Sequence, residues 1–355
     1  MKKLIYPVLK AGFIFLFLCL AAACGSDNNT LVPEPEPTPN PEPTPMPAVQ
    51  EVYVAGVDGN TAKIWKNGVP QNLTDGSEDA VANSVFVHNN DVYVVGVESN
   101  GTYLVAKLWK NGISQNLSDG TNEANALSVF VNDGDVYVAG REINSDMFSV
   151  AKLWKNGVPQ NLTNGSSDAF AYSVFVSDGN VYVTGREHNG TSYVAKLWKN
   201  GVAKNLTDGL NNATPNAVFV KGNDVYVAGF ENNGTNYIAK LWKNGAPQNL
   251  SDGSKDARAY AVFVNDDDVY VTGYENSGSN YIAKVWKNGK MENLADGIAH
   301  SVPNSIYMSN GDVYIAGREH NGTESIAKLW KNGTPQILTD GTNYGNAKAV
   351  FVVER

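Results

Sequence analysis

The sequence predicts an all-β fold over residues 49–355, a seven-bladed β-propeller with four antiparallel strands in each blade. The first observation is a repeat of 44 or 45 residues, with one tryptophan in each of its seven copies. The second is that each copy holds four short stretches of β-forming residues and no apolar pattern of helical period. Such repeats are typical of propellers, with a solenoid as the alternative. The tryptophans are Trp65, Trp109, Trp154, Trp198, Trp242, Trp286 and Trp330.

Residues 1–23 have the pattern of a signal peptide, because a basic start precedes an apolar run of 13 residues that ends in small residues. That run is shorter than the roughly 20 residues that a membrane-spanning helix needs. Cys24 follows Leu20 and three alanines, which resembles the bacterial lipobox, so we expect a lipid on Cys24. Because Gly25 does not signal retention in the inner membrane, we expect a lipid-anchored protein of the outer membrane or cell surface.

Residues 24–48 carry the lipidated cysteine and then a segment in which proline recurs at nearly every second position. Such a segment disfavours helices and central strands and favours extended polyproline II, with a rise of about 3.1 Å per residue. We therefore expect a stiff tether that holds the propeller away from the lipid headgroups.

The composition excludes several classes of function. The net charge of −9 makes the chain a poor candidate for binding nucleic acid, whose phosphates require lysine and arginine. The only cysteines are Cys19 and Cys24, so the propeller has neither a disulfide nor a zinc site built from cysteines. We expect no cofactor, no metal and a monomeric protein.

Within each copy the four strand signals come in a fixed order, as residues 173–209 illustrate. An Asn-Gly dipeptide separates the third strand from the fourth in all seven copies, and it predicts a tight hairpin because both residues tolerate positive φ. Among the predicted strands, prolines occur only in the fourth, which places that strand at the outer edge of each blade. These prolines are Pro70, Pro159, Pro247 and Pro335.

The phase of the repeat predicts how the ring closes. The first copy begins with a second-strand signal at residues 51–56, and the chain ends with a first-strand signal at residues 349–353. We expect the C-terminal strand to join the first blade, which removes the exposed strand edges that promote aggregation.

The pattern Ala-Lys-Leu-Trp-Lys-Asn-Gly, followed by Val-Phe-Val and Asp-Val-Tyr-Val-Ala-Gly strands, resembles the HAF-type extracellular repeat of secreted and cell-envelope bacterial proteins. The resemblance covers residues 49–355 and implies an extracellular propeller without established catalytic residues. The chain departs from the family in having Asn-Leu-Thr-Asp-Gly, as at residues 72–76, in place of a glycine-rich leucine segment.

Residues that recur in every copy are expected to serve the scaffold. We expect the tryptophans to pack between blades, with sugar stacking as the alternative. A recurrent acid after the second strand is expected to pair with a lysine, an arginine or backbone N–H groups, with cation binding as the alternative. These acids are Asp58, Glu98, Glu142, Glu187, Glu231, Glu275 and Glu319. The acidic turn at residues 266–268 lacks the ligand spacing of an EF-hand calcium loop.

Residues that differ between copies are the candidates for recognition, in loops on the face opposite the tight turns, which we call the long-loop face. Two positions vary just before the first strand, and one at the end of the second. Aromatic and arginine side chains there favour a polar, ring-bearing or anionic ligand, with drift on solvated loops as the alternative. The candidates are Phe170, Tyr172, Arg258 and Tyr260 in the first set, Arg141, Arg186, Phe230, Tyr274 and Arg318 in the second, and His300 in a loop.

The functional hypothesis is a lipid-anchored binding module that recognises a glycan or an envelope protein through the long-loop face. The alternatives are an assembly scaffold without a small ligand and a carbohydrate-active enzyme such as a lyase or glycosidase. Carboxylates beside His300 in a deep channel mouth would favour the enzyme, whereas a shallow aromatic and arginine surface would favour binding.

Overall fold

The computed structural model describes residues 49–355, so the predicted signal peptide, Cys24 and the tether lie outside the described residues. This part of the chain contains 28 strands in seven four-stranded sheets. All pairings within the sheets are antiparallel. The prediction of an all-β, seven-bladed propeller is therefore confirmed, and the solenoid is wrong. Across residues 49–355, no helix is long and apolar enough to cross a membrane.

The strands follow one another in chain order around the ring. Blade 1 contains β1 (Gln50–Asp58), β2 (Thr61–Lys66), β3 (Val69–Asn72) and the last strand, β28 (Gly345–Glu354). Blades 2 and 3 contain β4 (Ala80–His88), β5 (Asp91–Ser99), β6 (Leu104–Lys110), β7 (Ile113–Asn116), β8 (Ala124–Asn132), β9 (Asp135–Ile143), β10 (Ser149–Lys155) and β11 (Val158–Asn161).

The remaining four blades repeat the same arrangement. Blades 4 and 5 contain β12 (Ala169–Ser177), β13 (Asn180–His188), β14 (Tyr193–Lys199), β15 (Val202–Asn205), β16 (Ala213–Lys221), β17 (Asp224–Asn232), β18 (Tyr237–Lys243) and β19 (Ala246–Asn249). Blades 6 and 7 contain β20 (Ala257–Asn265), β21 (Asp268–Asn276), β22 (Tyr281–Lys287), β23 (Lys290–Asn293), β24 (Ser301–Ser309), β25 (Asp312–His320), β26 (Ser325–Lys331) and β27 (Thr334–Ile337).

The C-terminal strand closes the ring as predicted. Strand β28 pairs with β1 in antiparallel register, from Gln50 opposite Glu354 to Asp58 opposite Gly345. It becomes the innermost strand of blade 1 and contacts the innermost strands of blades 2 and 7. The seven innermost strands therefore form a continuous circle around the central channel.

Adjacent blades are held together by the recurrent tryptophans, which are fully buried. Trp154 of blade 3 belongs to one buried cluster with Tyr93 and Leu108 of blade 2. Trp65 packs in the same way against blade 7, and its indole Nε1–H donates to the carbonyl of Leu338 at 3.1 Å. The junction of blades 7 and 1 thus has the same buried tryptophan contact as the junction of blades 2 and 3.

The Asn-Gly turns and the outer strands agree with the sequence pattern. At all seven turns both residues have positive φ, for example 51° at Asn67 and 81° at Gly68. Each turn asparagine also accepts the backbone N–H of the second strand, as Asn67 does from Val52 at 2.8 Å. The fourth strands form the outer edge of every sheet and are exposed along their length.

The recurrent acids are confirmed as structural. In each blade the lysine two residues before the tryptophan forms an ion pair, within 4.0 Å, with the acid near the end of the second strand. The seven pairs are Lys63–Asp58, Lys107–Glu98, Lys152–Glu142, Lys196–Glu187, Lys240–Glu231, Lys284–Glu275 and Lys328–Glu319.

Candidate functional site

The variable residues that the sequence analysis placed just before the first strand lie within that strand, whereas His300 lies in a loop as predicted. Each innermost strand begins earlier than predicted; β12, for example, starts at Ala169 and so includes Phe170 and Tyr172. The expectation that prolines occur only in fourth strands is wrong for the same reason, because Pro215 lies in β16 and Pro303 in β24. Both prolines lie next to a bulge, where proline is tolerated in a sheet.

The structure brings the two variable series together. The residue that varies at the start of each innermost strand is the cross-strand partner of the residue that varies at the end of the second strand. Each blade therefore presents one adjacent pair at the long-loop face. The pairs are Asn346–Val57, Val81–Val97, Asn125–Arg141, Phe170–Arg186, Thr214–Phe230, Arg258–Tyr274 and Val302–Arg318.

A β-bulge in every innermost strand leaves one residue without a cross-strand partner. In blade 4 the register shifts between Ala171 and Ser173, so Tyr172 is unpaired. The glycine of the second strand makes this possible, because a Cβ on Gly185 would stand 1.8 Å from the carbonyl oxygen of Phe170. The bulge residues, one per blade around the channel mouth, are Asn83, Leu127, Tyr172, Asn216, Tyr260, Asn304 and Lys348.

Seven aromatic rings narrow the channel nearer its tight-turn end. Each belongs to an innermost strand, and neighbouring rings contact one another at centroid distances of 4.7–5.1 Å around a complete circle. On a regular heptagon this spacing places the ring centres roughly 5–6 Å from the axis, so the circle of rings narrows the channel at this level. The rings are Phe86, Phe130, Phe175, Phe219, Phe263, Tyr307 and Phe351.

Four of the predicted site residues form one cluster over blades 3 and 4. Phe170 stacks on Tyr172 with ring centroids 5.9 Å apart. The guanidinium of Arg186 lies 5.0 Å from the Phe170 ring and 4.0 Å from the Tyr193 ring, and Arg141 approaches Phe170 at 5.6 Å. Burial raises the pKa of Tyr172 to about 12, so its hydroxyl stays protonated and can donate a hydrogen bond.

A second cluster covers blades 5 and 6. The Arg258 guanidinium lies 4.9 Å from the ring of Phe230, which is only 8% exposed, and 4.5 Å from that of Tyr237. Tyr260 contacts Tyr274, which is 5% exposed, at a centroid distance of 5.9 Å. Burial raises the pKa of both tyrosines. These residues are therefore part of the packing between blades as well as of the long-loop face.

Arg318 belongs to a third group, which the sequence analysis recognised only in part. Its guanidinium lies 5.6 Å from the ring of Tyr344 and donates a hydrogen bond to the Tyr344 hydroxyl. The half-buried Lys348 is close enough to Arg318 for the two positive charges to repel each other. Burial, assisted by this repulsion, lowers the pKa of Lys348 to about 8.

His300 has a structural partner at the start of the third strand. Its Nδ1 accepts the backbone N–H of Tyr281 at 3.1 Å, and the two rings pack edge to face at 5.1 Å. Asp256 of the preceding blade accepts the backbone N–H of Tyr237 in the same way, at 2.7 Å. His300, in the loop before blade 7, therefore has the same structural role as Asp256 in the loop before blade 6. Among residues 49–355, no group of three or more His, Cys, Asp and Glu side chains could hold a metal ion.

Several residues of the face escaped the sequence analysis. Tyr193, Tyr237 and Tyr281 begin third strands and contact the predicted arginines and aromatic rings, and Tyr344 does so from the last loop. The sequence could have indicated Tyr193, Tyr237 and Tyr281, because these aromatic residues occupy the same position in consecutive repeats. Lys348 gave no signal beyond its variability, because its burial depends on β28 closing the ring.

Comparison with known proteins shows the architecture alone. No protein-family model and no curated protein matches the sequence. A puromycin-hydrolysing peptidase from Mycobacterium tuberculosis gives a TM-score of 0.54 at 12% identity, over 84% of this chain and 54% of that one. An acylaminoacyl peptidase in complex with Z-Gly-Gly-Phe-chloromethyl ketone gives 0.52 at 13% identity, over 82% and 51%. The Pyrococcus horikoshii acylaminoacyl peptidase gives 0.51 at 12% identity, over 82% and 50%. This chain spans about half the length of these proteins, and at such identities the likeness is one of propeller fold.

Proposed function

We propose that this protein is a binding module of the bacterial cell envelope, anchored by a lipid on Cys24, that recognises a glycan or an envelope protein through its long-loop face. The asymmetry of that face carries the proposal. The scaffold is repeated in all seven blades, whereas arginine and aromatic side chains meet at the channel mouth in blades 3–7 only. Such side chains dominate the energy of binding interfaces.

The connection to the tether is compatible with this role. Val49 forms paired backbone hydrogen bonds with Arg355 at 2.9 and 3.0 Å, at the end of β1 opposite to Asp58. That end carries the tight turns. The chain before residue 49 is therefore attached at the tight-turn end of β1.

Anchoring is tested by replacing Cys24 with Ala and labelling cells with a palmitate analogue. We expect the variant to lose the label and to leave the membrane fraction, because acyl chains supply the membrane affinity. Cys19→Ala, a change within the predicted signal peptide, is the matched control, and this variant should keep both the label and its place in the membrane fraction. Equal labelling of the Cys24→Ala protein would contradict the proposed lipid site.

Ligand recognition is tested by screening the full-length protein, in a neutral detergent, on a glycan array and against isolated envelope proteins. Arg258→Gln and Tyr260→Phe probe the face while conserving most of its packing. We expect either change to weaken binding of the ligand found, by about tenfold for the arginine. Lys199→Gln, an exposed change near an Asn-Gly turn, is the control. If Lys199→Gln weakens binding while Arg258→Gln and Tyr260→Phe do not, recognition takes place on the opposite face.

A further inference from the structure

The charges at the channel mouth are unbalanced. Residues 49–355 contain five arginines, of which Arg141 pairs with Glu123 and Arg355 with Glu51. In this part of the chain, no carboxylate lies within 4.0 Å of Arg186, Arg258 or Arg318. All three unpaired arginines lie at the long-loop face. The imbalance is notable because acidic residues outnumber basic ones in the whole sequence, by 36 to 27.

The nearest acids are directed elsewhere. Glu187 and Glu319 follow Arg186 and Arg318 directly, but successive side chains of a strand point to opposite faces of the sheet. Both glutamates, like Glu275 beside Tyr274, form the ion pairs with lysine that recur in every blade. These three glutamates are therefore paired with scaffold lysines, and among residues 49–355 no carboxylate lies within 4.0 Å of Arg186, Arg258 or Arg318.

Burial makes this arrangement costly without a ligand. The Nε atoms of Arg186 and Arg258 are buried and have no hydrogen-bond partner among the described residues. A buried donor without a partner destabilises the folded protein, because it loses its hydrogen bonds to water without replacing them. Lys348 adds a fourth, half-buried cation at the mouth, and burial, assisted by the charge of Arg318, lowers its pKa. Arg258 and the bulge residue Tyr260 lie in β20, Arg318 lies near the end of β25, and the bulge residue Lys348 lies in β28, so these groups share the long-loop end of the consecutive blades 6, 7 and 1.

We infer that this region, formed by Arg258, Arg318 and Lys348 around Tyr260, is an anion site that binds the acidic group of a glycan. The inference rests on the proposed function and names its ligand class. Arginine offers a planar pair of donors that matches a carboxylate or a sulfate, and the lysine adds a compact charge.

The neighbouring side chains favour a sugar as the carrier of the charge. Tyr344, beside Arg318, keeps 39% of its surface exposed, and Tyr281, which packs on Tyr274, keeps 38%. Tyrosine provides a flat apolar ring with a polar tip, which suits stacking against a sugar ring. A cavity of about 280 Å³ beside Tyr344, lined by Val57, Val81 and Val97 among others, provides further room on this face.

The experiment is calorimetric titration of the full-length protein, in a neutral detergent, with trigalacturonate and with its uncharged methyl ester. A sulfated tetrasaccharide and a short polyglutamate peptide are the other two probes. We expect the uronate or the sulfated sugar to bind, the ester to bind at least about tenfold more weakly, and high salt to weaken binding. Which acidic sugar binds identifies the source of the anion.

The variants are Arg318→Gln and Lys348→Met, each of which should lower affinity about tenfold. Lys255→Gln is the matched control, since Lys255 is exposed in a loop on the same face and should not contribute. Thermal melting of each variant separates lost binding from lost folding.

Equal affinity for the ester, or unchanged affinity in both cation variants, would overturn the anion site and leave the glycan-binding module standing. Binding of polyglutamate without any acidic sugar would overturn the glycan assignment. Failure of every glycan and envelope protein in the broader screen would instead reject the proposed function.

Discussion

At the scale of single residues, one residue type serves two purposes in this propeller. The lysines that flank the tryptophans are scaffold. One forms the ion pair with an acid of its own blade, and the other lies 5.1–5.3 Å from a tyrosine ring. Lys348 instead occupies a bulge at the channel mouth, next to Arg318. The first arrangement stabilises the fold, whereas the second reduces stability in favour of recognition.

Replacing Lys348 with Met should stabilise the protein at pH 7 by about 1–3 kcal/mol, because the variant no longer holds a charge in a half-buried position. The pKa of about 8 in the folded protein lies below the ordinary value of 10.5, so the folded protein releases this proton first as the pH rises. The stability of the wild-type protein should therefore increase as the pH rises from about 8 to about 10.5, and the advantage of the variant should shrink at about pH 10.

Urea denaturation of both proteins at neutral and alkaline pH measures this difference. Lys199→Met, which removes an exposed lysine, should change stability by the same small amount at both pH values. A Lys348→Met advantage that persists unchanged at alkaline pH would show that the charge of Lys348 is not the cause.

At the scale of elements, the bulge of the innermost strand links scaffold to site. It leaves one residue per blade free of the sheet register, and it brings the innermost strand into close approach with the second strand. The recurrent glycine of the second strand is required there, since any larger residue would collide with backbone atoms of the innermost strand. Recurrence of this glycine is therefore what allows the bulge residues to vary.

Gly273→Ala should destabilise the protein severely, because its Cβ would stand 1.8 Å from the carbonyl oxygen of Arg258. We expect a loss of more than about 3 kcal/mol, or a local loss of the bulge, and weaker ligand binding through displacement of Tyr260. Gly134→Ala is the control, since Gly134 has a positive φ of 84° but no atom within 4 Å of the added Cβ. Its cost should be about 1 kcal/mol. Equal melting temperatures for the two variants would contradict the close-approach argument.

At the scale of the whole molecule, closure determines both stability and the shape of the site. Strand β28 supplies Val350 and Val352 to the core between blades 7 and 1, and Phe351 to the aromatic ring of the channel. The same strand carries Lys348 to the mouth. One element therefore completes the core between blades 7 and 1 and the circle of aromatic rings, and it carries one residue of the proposed anion site.

Deleting residues 347–355 should cost several kcal/mol, a large part of the 5–15 kcal/mol that typically stabilise a domain, because each buried valine alone contributes about 1.5–3 kcal/mol. Removing only residues 354–355 is the matched truncation and should have a small effect. Differential scanning calorimetry compares both with the full chain. A nine-residue truncation that melts as cooperatively and at the same temperature as the full chain would disprove the importance of this closure.

Much of the fold could be predicted because its determinants are local and repeated. A spacing of 44 or 45 residues, Asn-Gly turns and strands rich in Val, Tyr and Phe specify seven blades, their strand order and the role of β28. The recurrent acids were correctly predicted as structural, since a feature present in every blade must fit the symmetric packing. These predictions need only the preferences of short segments and the rule that blades stack.

Only the tertiary structure decided what the variable residues do. From the sequence, Tyr172 and Arg258 belong to loops, whereas the folded chain places both in strands. Tyr172 packs against Phe170 and Arg186 of its own blade, and Arg258 lies over the ring of Phe230 in the neighbouring blade. Partners of this kind, like Thr214 for Arg186 and Tyr344 for Arg318, come from segments that lie 28 and 26 residues away along the chain. No local preference encodes such contacts, because they arise when the ring closes and each blade meets its neighbour. The sequence by itself thus determined the scaffold, and closure of the ring decided the chemistry of its channel mouth.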